Sequence, residues 1–453
     1  MIKTIAALSL IFLFGVWPPA VSAQNELAED ELVVRARHLL DSLSRNDFEA
    51  AVRDFDETMM RVLGPEKLAE FWKQVPGKFG AFKRQMQARR EELAPYSIAV
   101  VTCEFEKVTL DARIVFGKDK RIAGFNFVPS LPPAKYDPPK YANPDFFEEK
   151  EVTIDSSNWP LPGTLAIPRG DGPFPALVLV HGSGPNDRDE TLGPNKPFKD
   201  IAWGLAAHNI AVLRYEKRTR VYGAKIVIDK AVSASFTVKE ETVDDALAAV
   251  RLLQSTDKID PKRIFVLGHS LGGMLIPRIA AAGKDLNIAG FIVMAGLTRP
   301  LEEAYLKQVG YLLNLDGTLS VDDKKQLEEL KAQNDKIKAF QEADANSDLK
   351  IMNAPVRYWL DLRGYYPPEA AQKINRPMLI LQGNRDYQVT AEDFGNWKKS
   401  LGSRDDVEFK LYPKLNHLFF EGQGFPTPNE YMLTHGTVAE YVIIDIAAWI
   451  KKH

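Results

Sequence analysis

The 453-residue chain is long enough for two or three domains. Its balance of 26% charged to 45% hydrophobic residues excludes a disordered or collagen-like chain. The net charge of −3 comes from 58 basic and 61 acidic residues interspersed without a basic stripe, which excludes a nucleic-acid footprint. The single cysteine, Cys103, cannot close an internal disulfide or build a Cys-rich metal site, and reads as a small buried hydrophobe.

The first 23 residues read as a signal peptide: Lys3, an apolar run Ile5–Val16, then Val21-Ser22-Ala23 before Gln24. The run is too short for a transmembrane helix, so the expectation is an exported chain without stable membrane insertion, periplasmic or extracellular. No cysteine follows the cleavage site to carry a lipid.

Residues 26–95 read as helices, with Leu32, Ala36, Leu39, Leu40 and Leu43 at helical spacing. Ser97–Phe105, Lys107–Phe116 and Arg121–Val128 read as strands. Helices followed by an antiparallel meander describe a small α+β domain over 24–128. The six prolines of 129–149 suggest a stiff linker or an extended segment packed on a neighbouring domain.

From 150 to 453 the pattern becomes α/β. A hairpin over Val152–Ile154 and Gly163–Pro168 precedes short apolar strands at Ala176–Val180, Ile210–Tyr215, Ile264–Gly268, Gly290–Ala295, Met378–Gln382 and Val407–Tyr412. Amphipathic helices alternate with them, which calls for a mostly parallel, doubly wound sheet. The interval from about 298 to 376 breaks this rhythm and reads as a helical cap insertion.

Gly268-His269-Ser270-Leu271-Gly272 sits between a buried strand and a helix, the setting of a nucleophile elbow. Glycines flank Ser270 because a side chain there would collide with the turn. A serine hydroxyl needs a positioned base. Of the seven histidines, His417, His435 and His453 follow Ser270 in the order this elbow requires. His453 is the terminus and His435 reads as the start of the last helix, whereas His417 follows a strand end. The acid expected after Met378–Gln382 is Asp386, with Asp393 already inside the next helix. Two backbone N–H groups are needed where negative charge develops. Leu271 supplies one, and His181-Gly-Ser-Gly184 the other, through Ser183 or its neighbour Gly182. His181 itself reads as ordering that loop.

These residues carry a family resemblance. The sheet pattern, the Ser270 elbow, Asp386 and His417 resemble the α/β-hydrolase superfamily across about 150–453. His181-Gly-Ser-Gly-Pro-Asn-Asp-Arg-Asp-Glu190 and Leu213-Arg-Tyr-Glu-Lys-Arg218 are similar to a bacterial carboxylesterase subgroup. The first domain resembles the NTF2-like domain of unknown function found before secreted hydrolases. The resemblance implies a serine esterase that takes small, short-acyl esters and needs no metal and no cofactor. Thr219-Arg220 departs from the subgroup's pattern, so the following loop, Val221–Phe236, is expected to be reshaped. Asp187, Arg188 and Asp189 read equally as an ion-pair network or a solvated loop. The same constellation serves peptidases, thioesterases and acyltransferases, and a binding protein with a vestigial triad is the alternative of another class.

Overall fold

The computed structural model describes residues 30–93, 96–130, 136–157, 159–347 and 349–453. The expected signal peptide lies outside the described residues. Among them, no helix is long and apolar enough to cross a membrane. The chain divides into two compact units that meet in sequence at Ala134 and Lys135.

Among its described residues, the smaller unit opens with four helices, α1 (Glu31–Ser44), α2 (Phe48–Ala51), α3 (Glu57–Leu63) and α4 (Pro65–Phe79). Asp30, Asp47 and Asp56 cap the first three by accepting backbone N–H groups of the opening turns. Strands β1 (Phe82–Leu93), β2 (Tyr96–Phe105), β3 (Thr109–Phe116) and β4 (Ile122–Pro129) then form an antiparallel meander. β1 corrects the sequence reading, which continued the helices to residue 95. Its residues (FKRQMQARREEL) are helix formers without a β-branched member. Pairing overrides that preference: β1 closes the open side of the apolar β2, paired from Phe82 opposite Phe105 to Leu93 opposite Tyr96 with two register shifts on the way. Its charges suit an edge strand. Arg84 meets Glu104 at 2.7 Å, and Glu91 meets the fully buried Arg113 of β3 at 3.0 Å. Cys103 is buried in β2, and burial pushes its thiol up to about 12.

In the larger unit, eight strands form one sheet, ordered β14-β13-β10-β9-β7-β8-β6-β5. The hairpin β5 (Phe147–Ser156) and β6 (Trp159–Pro168) is antiparallel, and β6 also pairs antiparallel with β8 (Ala211–Tyr215). From β8 through β7 (Phe174–Val180), β9 (Ile259–His269), β10 (Gly290–Met294), β13 (Met378–Gly383) and β14 (Val407–Tyr412), every pairing is parallel. The central strands bury both faces, so they read as unbroken apolar runs such as Phe-Pro-Ala-Leu-Val-Leu-Val in β7.

The segment before β5 packs against this unit. The Tyr136 hydroxyl donates to Asp200 at 2.7 Å, and Phe147–Glu149, expected in a linker, belong to β5. Residues 221–236, expected as a reshaped loop, lie mostly in two helices, α6 (Arg218–Ile228) and α7 (Lys230–Ser235), after α5 (Pro197–Ala207). Between β10 and β13 lie the helices of the expected cap, α10 (Leu301–Leu313), α11 (Val321–Ala339), α12 (Val356–Leu362) and α13 (Pro367–Ala371), with a small hairpin of β11 (Lys350–Ile351) and β12 (Ala354–Pro355). The remaining helices are α8 (Asp244–Gln254), α9 (Leu271–Ala282), α14 (Ala391–Leu401), α15 (Asn429–Met432) and α16 (Glu440–Lys452).

Candidate active site

Parallel strands present their carboxyl ends along one rim, where open α/β sheets build their sites. Ser270 follows β9, Asp386 follows β13, His417 follows β14, and His181–Gly184 follows β7. A cavity of about 240 Å³ at this rim is lined by Ser270, His417, Gly182, Ser183, His269 and Glu190, among others.

The turn at Ser270 is strained. Its φ of 55° and ψ of −114° lie outside the regions open to an ordinary L-residue. Backbone approach on both sides enforces the flanking glycines. A Cβ on Gly268 would stand 2.2 Å from the carbonyl oxygen of Gly272, and one on Gly272 would stand 2.4 Å from that of Val180. The Ser270 N–H is tied to the Met294 carbonyl at 3.0 Å, which fixes the elbow to β10. Ser270 is half-buried and borders the cavity at the start of α9.

His417 Nδ1 lies 2.6 Å from Asp386 Oδ2, with both side chains buried. The other oxygen, Oδ1, accepts the N–H groups of Gln388 (2.7 Å) and Val389 (2.9 Å). Gln382 Nε2 reaches Oδ2 at 3.3 Å and the Val389 carbonyl at 2.7 Å. The carboxylate is thereby oriented by its own loop and the last turn of β13. The His417 loop is stiffened in the same way: Asn416 Oδ1 accepts the N–H groups of Leu418 and Phe420, and its Nδ2 donates to Glu430.

Asp393 caps α14 and is spent on Thr298 and Arg299, the latter at 2.7 Å. His435 does not begin the last helix, which starts at Glu440; it is exposed in the preceding loop, 3.1 Å from the Asp137 carbonyl. His453 ends the chain beside Trp449. His181 is fully buried between the Phe198 and Tyr215 rings, and burial pushes its imidazole down to about 4, so it is neutral.

The loop after β7 is clamped at Gly182. Its N–H donates to Glu190 Oε1 at 2.6 Å, and its carbonyl accepts from Lys217 Nζ at 2.7 Å and Asn186 Nδ2 at 3.2 Å. Gly182 is tight against the elbow, where an added Cβ would meet Ser270 Cβ at 3.1 Å. The Gly182 N–H is committed to Glu190, and Ser183 lines the cavity beside it. Asp187, Arg188 and Asp189 form a network rather than a solvated run. Arg188 pairs with Glu216 (2.8 Å) and Glu151 (2.7 Å), while Asp189 meets Lys196 at 2.8 Å and the buried Arg214. Arg188 and Asp189 tie the loop to the sheet, Asp187 accepts the N–H groups of Asp189 and Thr191 within it, and none of the three borders the cavity.

Sequence reasoning missed Glu190 and His269 as site residues. Both are buried, and His269 Nδ1 lies 2.8 Å from Glu190 Oε2. Burial raises the Glu190 carboxyl, but the charge and hydrogen bond of His269 outweigh it and hold it below the usual range. Burial lowers the His269 imidazolium, and Glu190 more than offsets this, so the net direction is up.

The far wall of the cavity is apolar and comes largely from one face of α10: Leu301, Tyr305, Gln308 and Leu312. Tyr387 and Tyr431 continue it, Tyr387 stacked on Tyr311 with ring centres 5.0 Å apart.

Two family models match the chain. One, a protein of unknown function (DUF3887), covers residues 36–125, and the other, the serine aminopeptidase S33 family of hydrolases, covers 195–423, half of the chain. The chain is 37% identical over 416 residues to esterase EstD of Thermotoga maritima, covering 90% of this chain and 93% of that one. Among solved structures it is similar to a hyperthermophilic esterase of the archaeon Pyrobaculum calidifontis, with 19% identity, a TM-score of 0.44, and 69% of this chain and 88% of that one covered. It is also similar to an esterase of Pyrococcus furiosus, with 16% identity, a TM-score of 0.42, and 72% and 97% covered. Strand order, elbow geometry and the long match to EstD agree: the chain belongs to the S33 family of α/β-hydrolase enzymes, on the line that includes esterase EstD.

Proposed function

We propose that this protein is an exported carboxylesterase that cleaves short-acyl esters through Ser270, His417 and Asp386. The observation that carries the reading is the 2.6 Å contact between His417 and a fully oriented Asp386, on the rim that also presents the strained Ser270. In this mechanism Ser270 Oγ attacks the ester carbonyl while His417 Nε2 takes its proton. Asp386 holds the imidazole in one tautomer and stabilises the imidazolium that forms. The N–H groups of Leu271 and Ser183 receive the oxyanion. The alcohol leaves with the proton from His417, and water then releases the acyl group by the same steps in reverse order.

The lining favours an ester over an aminopeptide or an acyl-CoA. Its charged pair, Glu190 and His269, spends its polar atoms on each other, the Gly182 N–H and the His417 carbonyl, and the remaining wall is apolar or neutral. An α-amino group or a CoA phosphate would therefore enter without a charged partner. At about 240 Å³ the cavity lies below the usual range for ligand pockets, which suits a short acyl chain. Export rests on Lys3, the Ile5–Val16 run and Val21-Ser22-Ala23.

A fluorophosphonate probe tests the reading. The wild-type chain should carry the adduct on Ser270 and hydrolyse p-nitrophenyl acetate. Ser270→Ala should fold normally and lose both. Labelling at another serine, or turnover near wild type in the variant, refutes the assignment. Leu312→Ala, which deepens the α10 wall, should raise kcat/KM for octanoyl relative to acetyl esters about tenfold, given the transfer energy of the removed methylenes. An unchanged ratio would mean the acyl group sits elsewhere.

A further inference from the structure

The buried pair behind the nucleophile has no part in the mechanism above, and its hydrogen bonds decide its charge. His269 Nδ1 faces Glu190 Oε2 at 2.8 Å, and His269 Nε2 faces the backbone carbonyl of His417 at 3.0 Å. A carbonyl oxygen only accepts, so Nε2 carries a proton. Its surroundings hold the Glu190 carboxyl below its usual range, so it is ionised and only accepts, and Nδ1 carries a proton too. The ring is an imidazolium and Glu190 its counter-ion. The other carboxylate oxygen takes the Gly182 N–H at 2.6 Å. A continuous chain of charge-assisted hydrogen bonds therefore runs from the loop after β7, behind Ser270, to the backbone of His417. His269 is the residue before Ser270 and ends β9, so the chain is anchored in the sheet's centre. The two imidazole rings stand 4.7 Å apart, centre to centre.

We propose that Glu190 and His269 are positioning residues for the ester cleavage, an ion pair that holds the oxyanion loop and the His417 loop in register across the nucleophile. Neither touches the reacting atoms. Glu190 keeps Gly182 turned so that the N–H of Ser183 is free for the oxyanion, and His269 holds the base at the correct height above Ser270. The backbone of Glu190, at φ 50°, is itself in the left-handed region, a conformation maintained while its side chain is engaged at both oxygens. The groups facing His269 are Glu190 and, beyond it, His181 from the loop after β7, with His417 and Asp386 from the loops after β14 and β13. His181 is neutral, so Glu190 and Asp386 are the charges that favour the imidazolium. Burial opposes the imidazolium and Glu190 more than offsets it, so the net direction is up, and the brace loosens when alkali removes the proton.

The proposal rests on the triad reading, and the experiments separate the two. In the full-length wild-type chain labelled with ¹⁵N-histidine, one buried imidazole should remain doubly protonated at pH 8. A neutral His269 at that pH overturns the proposal whether or not Ser270 takes the fluorophosphonate. A charged His269 in a chain that fails to label would sink the hydrolase reading alone. Glu190→Gln retains the shape and one acceptor but removes the charge. It should lower kcat about 10- to 100-fold, as small misplacements of reacting groups do, with KM within about threefold. Its alkaline loss of activity should begin at least about one pH unit lower than in wild type, because the imidazolium has lost its counter-ion. A Glu190→Gln enzyme with wild-type kcat and an unmoved alkaline limb overturns the proposal. If that variant does not fold, the ¹⁵N measurement on the wild-type chain decides.

Discussion

Two buried acid–imidazole pairs stand side by side at this rim, and they differ in what each imidazole faces. Asp386–His417 borders the substrate cavity, and the ring gives only Nδ1 to its acid. Glu190–His269 lines the same cavity, but both of its ring nitrogens are spent on protein acceptors. The same two functional groups therefore serve opposite ends. A ring with one committed nitrogen can shuttle a proton, whereas a ring with two committed nitrogens is a strut. Asp200 adds a third buried carboxylate for contrast: its partners are the Tyr136 hydroxyl (2.7 Å) and the Val438 N–H (3.0 Å), both neutral.

The largest expected effect comes from breaking the first pair. Asp386→Asn should lower kcat about 10⁴-fold while leaving p-nitrophenyl ester KM near wild type, since the loss is of the correct tautomer and not of binding. His417→Ala should cost on the order of three or more decades, with the exposed His435→Ala as its control. Were the His435 variant the inactive one, the first pair would not be the catalytic one. The Glu190→Gln effect belongs between these and Asp200. Asp200→Asn should leave kcat within about twofold and change only how stability follows pH. Burial pushes the Asp200 carboxyl up to about 7, against the opposing hydrogen bonds of Tyr136 and Val438. A raised carboxyl binds its proton more tightly folded than unfolded, so its contribution to stability is full below about pH 4 and lost as pH rises through about 7. The wild-type Tm should fall by a few degrees between pH 5 and 8 from this source, and the Asn variant should lack that part of the fall. Parallel Tm profiles for the two chains would show that Asp200 does not titrate in this window.

The elbow, Asp386 and His417 were legible because each follows a strand whose apolar run marks it in the sequence, and because the turn at Ser270 demands glycines that can be counted. Glu190 was not legible. It ends the run Asp187-Arg188-Asp189-Glu190, and only the burial of its side chain between Gly182 and His269 distinguishes it from a solvated charge. His269 was hidden for a related reason, since its place before Ser270 drew attention to the motif and away from the ring. β1 misled through local preference: Arg, Gln and Glu favour a helix, and only the unpaired side of β2 requires a strand there. Residues 221–236 misled in the opposite direction. The departure at Thr219-Arg220 suggested a remodelled loop, yet both residues are buried in the first turn of α6.

The far wall of the cavity has a consequence for how this enzyme could diversify. Leu301, Tyr305, Gln308 and Leu312 form one stripe on α10, in a segment spliced between two sheet strands. The rim chemistry is carried by loops that spring from other strands. On the proposed reading, a lineage could therefore lengthen, shorten or reshape its preferred acid by exchanging one or two side chains along that stripe. The hydrolytic apparatus would be inherited untouched, like a lathe given a new gauge.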